Sequence, residues 1–147
     1  MESPVMAANP TLLIVVALAL LDGADRVLMQ RRPEGRAHGG LWEFPGGKVE
    51  PGEGPDSALV REIAEELSIT IEAADLVPLT FAANSEQEST RPLVLLLYTC
   101  RCWEGVPVPE PGAELQWLNA EALSALSMPP LDVPLAAALQ RNLKNRH

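Results

Sequence analysis

Cysteine and histidine are almost absent from this 147-residue chain, whose whole supply is Cys100, Cys102, His38 and His147. Two cysteines with no partner pair elsewhere build neither a disulfide framework nor a four-ligand zinc site. They read as two small residues on one side of a strand. Two histidines make a histidine-based triad improbable. Positive charge is scarce as well, with 11 Lys and Arg against 20 Asp and Glu and a formal net charge of −9. A long polyanion such as duplex DNA therefore finds no basic face on which to displace counterions. A small anion accompanied by a metal ion is still compatible. Long hydrophobic runs are missing too: LLIVVALALL, residues 12–21, covers only about half of the ~20 residues that span a bilayer. An export signal wants a positive start, whereas the first basic residue is Arg26 and Glu2 precedes it. The run is expected to be a buried strand of a cytoplasmic protein with no membrane partner.

The length suits one domain, residues 1–147, with 1–10 as a loose lead-in carrying two prolines. From Leu12 a strand runs to LDGADR, where Asp22-Gly23 signals a hairpin, and RVLMQRR returns as a second strand. PEGRAHGG is a loop by its Pro and Gly content, and LWEFPGGK a short strand broken by Pro45. A helix should begin near Pro55 with Gly54 as its cap. Leu59, Ile63 and Leu67 recur along it at i, i+4 and i+8, and Val60 and Ala64 widen that face. LVPLTFAAN and RPLVLLLYTCRCW read as strands with SEQEST turning between them. ELQWLN is a last short strand, followed by a helical AEALSAL and a final helix over 133–145. Strands and helices interleaved in this way predict an α/β fold, a mixed sheet with helices on both faces.

The stretch GGKVEPGEGPDSALVREIAEEL, residues 46–67, sets five glutamates and one aspartate against one lysine and one arginine. Glu62, Glu65 and Glu66 fall at i, i+3 and i+4, on one side of the helix opposite its apolar stripe. Like charges so spaced cost a few tenths of a kcal/mol, roughly, per pair. Arg61 can pair with Glu65 and Glu53 but cannot neutralise every carboxylate. A hard divalent cation can, and Mg²⁺ favours such an oxygen supply; a plain solvated face is the alternative. Gly46-Gly47 in front leaves backbone groups open to a metal or phosphate oxygen.

From Gly47 the spacing is five residues, Glu53, seven residues, then Arg61-Glu62-Ile63-Ala64-Glu65-Glu66-Leu67-Ser68-Ile69. It resembles the signature of the Nudix hydrolase family, with every charged position present and Ser68 in place of the closing glycine. The resemblance implies a Nudix-type α/β/α sandwich and a Mg²⁺- or Mn²⁺-dependent attack of water on a nucleoside diphosphate linkage. By position, Glu62, Glu65 and Glu66 become metal ligands or base, the Gly46 carbonyl an added ligand, and Gly47, Glu53 and Arg61 structural members of the motif. One more glutamate often comes from a later loop; VPEPGAELQW offers Glu110, preferred for its Pro and Gly neighbours, and Glu114.

RRPEGRAHGGLWEFPGGKVEPGE and MPPLDVPL look like the MutT branch, whose members convert oxidised purine nucleoside triphosphates such as 8-oxo-dGTP to monophosphate and pyrophosphate. The likeness implies that Arg32 contacts the nucleotide and that Arg91 lies near the base pocket, as substrate-binding residues, although each also reads as a surface cation. Asp132 then stands where the branch's archetype reads the base with Asn. Ionised Asp only accepts hydrogen bonds, so it suits the exocyclic amine of cytosine and meets the 6-oxo group of a purine only when protonated. Oxidised purine nucleotides are the first expectation, CTP, dCTP or oxidised cytidine nucleotides the second, and broad specificity a third. Asp132 merely capping the last helix is the structural alternative. The chain is expected to act as a monomer or weak homodimer, without a nucleic-acid polymer as partner.

Overall fold

The computed structural model describes residues 12–35, 37, 39–84 and 91–146. The expected lead-in over 1–10, the turn over 85–90 and both histidines lie outside them. The elements are β1 (Leu13–Leu20), β2 (Val27–Arg31), β3 (Trp42–Glu43), β4 (Gly46–Lys48), α1 (Pro55–Leu67), β5 (Val77–Ala83), β6 (Leu93–Cys100), β7 (Glu114–Leu118) and α2 (Asp132–Asn145). Short 3₁₀ turns occupy Ala73–Asp75 and Ala120–Ala125, so the helical reading of AEALSAL is met by the tighter form.

The strands form a mixed sheet in the order β4-β1-β6-β5, with β1 and β6 parallel, and an antiparallel sheet β3-β2-β7. The continuous apolar run of β1 follows from burial on both faces. Val16, Leu18 and Leu20 pack with Leu59, Ile63 and Leu67 of α1, while Ala17, Ala19 and Leu21 pack with Leu135, Leu139 and Leu143 of α2. The mixed sheet thus lies between two helices, the α/β/α arrangement expected. Leu59 is fully buried in this contact, and truncating such a side chain to alanine costs about 2–5 kcal/mol.

Asp22-Gly23 reverses the chain, with the Asp22 carboxylate accepting the N–H groups of Ala24 (2.9 Å) and Arg26 (2.8 Å). It does not make the expected hairpin. Beyond a single Leu21–Val27 bridge the strands enter different sheets, because both edges of β1 are taken by β4 and β6. The break at Pro45 has the same effect on LWEFPGGK, sending β3 to one sheet and β4 to the other.

Helix α1 starts at Pro55 after Gly54. Its buried stripe is Ala58, Leu59, Ile63 and Leu67, whereas Ala64, expected on that face, is exposed and Val60 half-buried. The helix ends at Ser68, whose φ of 60° and ψ of 32° are left-handed, the conformation for which the family signature carries glycine. Cys100 is buried at the end of β6, but Cys102 lies past the strand and is exposed, so the two do not share a strand side.

Candidate active site

The Gly-Gly strand β4 crosses one flank of α1, and the acidic side chains there have three different surroundings. Glu66 turns inward, and its Oε1 accepts the Gly46 N–H (3.2 Å) and the Gln30 Nε2–H (3.3 Å). Glu62 packs on Gly47, where a Cβ would overlap its carboxylate, and its side chain is only 15% exposed. Glu65 is 60% exposed. The three glutamates therefore do not share one solvated face opposite the apolar stripe. The i, i+4 pair Glu62 and Glu66 lies against β4, and Glu65, one residue round the helix, points outward.

Arg61 binds Glu53 through Nε (2.7 Å) and Nη2 (2.9 Å), and also Glu62 (3.1 Å), Glu65 (3.3 Å) and the Lys48 carbonyl (3.1 Å). Glu53 accepts the Glu50 N–H in addition (2.9 Å). These two donors, Arg61 first, hold the Glu53 carboxyl down at about 2. The guanidinium thus staples the loop to the helix and to β4 together.

Burial acts in the opposite direction on the inner carboxylates. It pushes Glu66 up to about 7, with the Gln30 and Gly46 donors opposing and the negative charges of Glu62 and Glu110 adding to the rise. Burial likewise raises Glu62, against the pull of Arg61.

Glu66 opens into a cleft of about 150 Å³ together with Gln30, Arg32, Glu43 and Glu110. Glu110 arrives there because its loop is anchored to the end of α1 by the Val108 N–H on the Leu67 carbonyl (2.9 Å) and turns at once into β7. Its competitor Glu114 is exposed on β7 and pairs with Arg31 (3.3 Å). Arg32 binds Glu43 (2.5 Å).

Asp132 is the first residue of α2, 5% exposed, and makes no capping hydrogen bond. Instead its Oδ2 accepts the Phe44 N–H (3.1 Å). Burial pushes it up to about 7, reinforced by Glu43 and opposed by the Phe44 N–H and by Arg32. The helix-cap reading of Asp132 is overturned, since its carboxylate reaches across to the β3–β4 link. Arg91 lines a different groove with Lys48, Glu50 and the start of β1, so it is not gathered into the cleft. A larger groove of about 720 Å³ runs past Asp25, Gln140 and Lys144, and no signature residue lines it.

Gln30 and Glu43 are the cleft residues that the sequence reading missed. Each has a signal: Gln30 is the one polar residue among Val27–Gln30 of an apolar strand, and Glu43 is its cross-strand partner. Among the described residues no three acidic, histidine or cysteine side chains stand arranged as a ready-made ion site. The donor chemistry nonetheless fits a hard cation. Its candidate ligands are all oxygens, and Glu66 is partly desolvated and carries the repulsion of two other carboxylates, which a divalent ion would relieve.

A sandwich of this topology, with a Gly-Gly strand feeding an acidic helix, defines a Nudix hydrolase. Residues 11–139 match the NUDIX domain family, and the chain belongs to it. Members of this family generally use divalent metal ions. The chain is 32% identical over 126 residues to the CTP pyrophosphohydrolase of Escherichia coli K12, covering 86% of this chain and 90% of that protein. It is also 32% identical over 127 residues to the 8-oxo-dGTP diphosphatase of the same organism, covering 86% and 95%. Among solved structures, the solution structure of the E. coli ORF135 protein superposes with a TM-score of 0.78 at 29% identity, over 90% of this chain and 91% of that one. No helix among the described residues is long and apolar enough to cross a membrane.

Proposed function

We propose that the chain is one Nudix domain acting as a Mg²⁺- or Mn²⁺-dependent nucleoside triphosphate pyrophosphohydrolase. It releases nucleoside monophosphate and pyrophosphate and sanitises oxidised purine nucleotides such as 8-oxo-dGTP. The observation that carries this reading is the cleft in which Glu66 and Glu110 are gathered with the cationic Arg32. When bound, the cation neutralises phosphate charge and lowers the pKa of the attacking water. Glu62, Glu66 and Glu110, with the Gly46 carbonyl and with Glu65 from the exposed side of the helix, would supply its oxygen ligands, and a carboxylate of this set would take the proton of the attacking water. Arg32, fixed by Glu43, offers its remaining N–H groups to phosphate oxygens. Arg91, in its separate groove, is the remaining substrate-binding candidate. Gly47, Glu53 and Arg61 hold loop and helix in register.

Base choice falls to Asp132. A buried carboxyl pushed up to about 7 keeps its protonated form accessible near neutral pH, and that form offers a donor and an acceptor, as Asn does. That supports the purine reading, because the donor can meet a 6-oxo group and the acceptor a ring N–H. A cytidine substrate is the second reading, supported by the likeness to the CTP pyrophosphohydrolase and by the fit of ionised Asp132 to an exocyclic amine. In either role the enzyme is cytoplasmic, a monomer or weak homodimer, and serves the nucleotide pool and thereby DNA repair.

A panel of normal and oxidised nucleoside triphosphates, with pyrophosphate and phosphate measured separately, tests the proposal. The purine reading expects 8-oxo-dGTP to give the highest kcat/KM, and expects Asp132→Asn to preserve it. The cytidine reading expects Asp132→Asn to lose several-fold on dCTP, because a charge-assisted hydrogen bond exceeds a neutral one by about 1 kcal/mol. Release of phosphate alone, or no turnover of any triphosphate, would refute both.

A further inference from the structure

We propose that Gln30 is the positioning residue for the carboxylate of Glu66, a role that rests on the function proposed above. In β2 the residues before it, Val27, Leu28 and Met29, are essentially fully buried and apolar, and Gln30 itself is 7% exposed. Buried amides persist where they are hydrogen bonded. Leu28 packs into the cluster beneath α1, and with period two Gln30 projects to the same side. There its Nε2 donates to Glu66 Oε1 (3.3 Å), the oxygen that also accepts the Gly46 N–H (3.2 Å). Two donors converging on one oxygen fix the rotation of the carboxylate and leave Oε2 as the oxygen offered to a cation.

The neutrality of the donor matters. Arg61 secures Glu62 with a positive charge (3.1 Å), which competes with any cation for the same oxygens. Gln30 orients Glu66 without neutralising it. Hydrogen-bonding partners of this kind behind a metal ligand typically change metal affinity or activity by about 10–100-fold when removed.

The test uses the full chain freed of metal, with Mn²⁺ binding followed by calorimetry and by the electron paramagnetic resonance of free Mn²⁺. Gln30→Met keeps the side-chain length and removes the donor. It should weaken Mn²⁺ binding about tenfold and lower kcat while leaving KM for the nucleotide unchanged. In a Glu66→Gln background the same substitution should cause no further loss of Mn²⁺ binding, since the charged carboxylate that Gln30 orients towards the ion is no longer there. Binding by Gln30→Met within twofold of wild type overturns the proposal, and so does an equal tenfold loss in both backgrounds. A wild-type protein that neither binds Mn²⁺ nor hydrolyses triphosphates overturns the proposed function and this inference with it. A wild type that does both beside an unaffected Gln30→Met overturns the inference alone. Should Gln30→Met fail to fold, the side-chain amide resonance of Gln30 in the wild-type protein gives a separate reading. A change in that signal in Glu66→Gln supports the contact, and an unchanged signal overturns it.

Discussion

Replacing Asp132 by Asn should stabilise the ligand-free protein at pH 8 and leave it almost unchanged at pH 4. The Asp132 carboxyl is buried, and burial lifts it from an ordinary 3.8 to about 7. A carboxyl that binds its proton more tightly folded than unfolded contributes no penalty below about 3.8. As pH rises from there to about 7 the unfolded chain ionises first, and stability is lost progressively through that window. The shift is about three units, and one unit corresponds to about 1.36 kcal/mol, so the native state loses at most about 4 kcal/mol by pH 8. Asn keeps an oxygen for the Phe44 N–H and carries no charge, so it escapes that loss. For a domain of this size about 1 kcal/mol moves Tm by roughly 3–4 °C, which makes the expected gain at pH 8 up to about 16 °C. Thermal unfolding of both proteins in EDTA, at half-unit steps from pH 4 to 8, reads the difference directly. A difference in Tm that does not grow with pH would refute the burial argument, and an Asn variant less stable at pH 8 than at pH 4, relative to wild type, would reverse its sign.

Three further outcomes are expected. Glu66→Gln should lower turnover at saturating Mg²⁺ by at least ~10²-fold, since a charge-stabilising ligand is lost. Because Glu66 is held at about 7 by burial, the same variant should melt higher than wild type in EDTA at pH 8; more than half the activity retained would remove Glu66 from the site. Ser68→Gly should raise stability by about 1 kcal/mol without touching activity, since left-handed backbone costs other L-residues roughly 1–2 kcal/mol; chemical denaturation that finds a loss would contradict the cap geometry. Glu53→Gln should lower Tm at pH 6 but much less at pH 2, because a carboxyl held at about 2 lends its stability above about 4.5 and loses it as pH falls towards 2; an equal loss at both pH values would count against the Arg61 staple.

Local patterns were sufficient for much of this protein. The run LLIVVALALL carries its own burial on two faces, Pro55 starts its helix, and Leu59, Ile63 and Leu67 mark the stripe that packs. Ser68 also falls where a left-handed residue is needed. Each of these is a matter of spacing along one element, and the Nudix spacing from Gly47 to Glu66 is of the same kind. The tertiary structure decided whatever depends on two distant segments meeting. Sequence spacing put Glu62, Glu65 and Glu66 on one face, but the approach of β4 buries two of them and leaves Glu65 outside. Asp22-Gly23 announced a reversal, yet β4 and β6 had already filled both edges of β1. Pro and Gly neighbours favoured Glu110 over Glu114 as a loop residue, but the Val108–Leu67 hydrogen bond that anchors this loop beside the cleft joins segments far apart in sequence. Asp132 acquires its raised pKa from burial, which the hydrogen bond from the Phe44 N–H, 88 residues away in sequence, only partly offsets. Desolvation and hydrogen bonds across such separations depend on how the whole chain packs, and no periodicity within a single helix or strand encodes them.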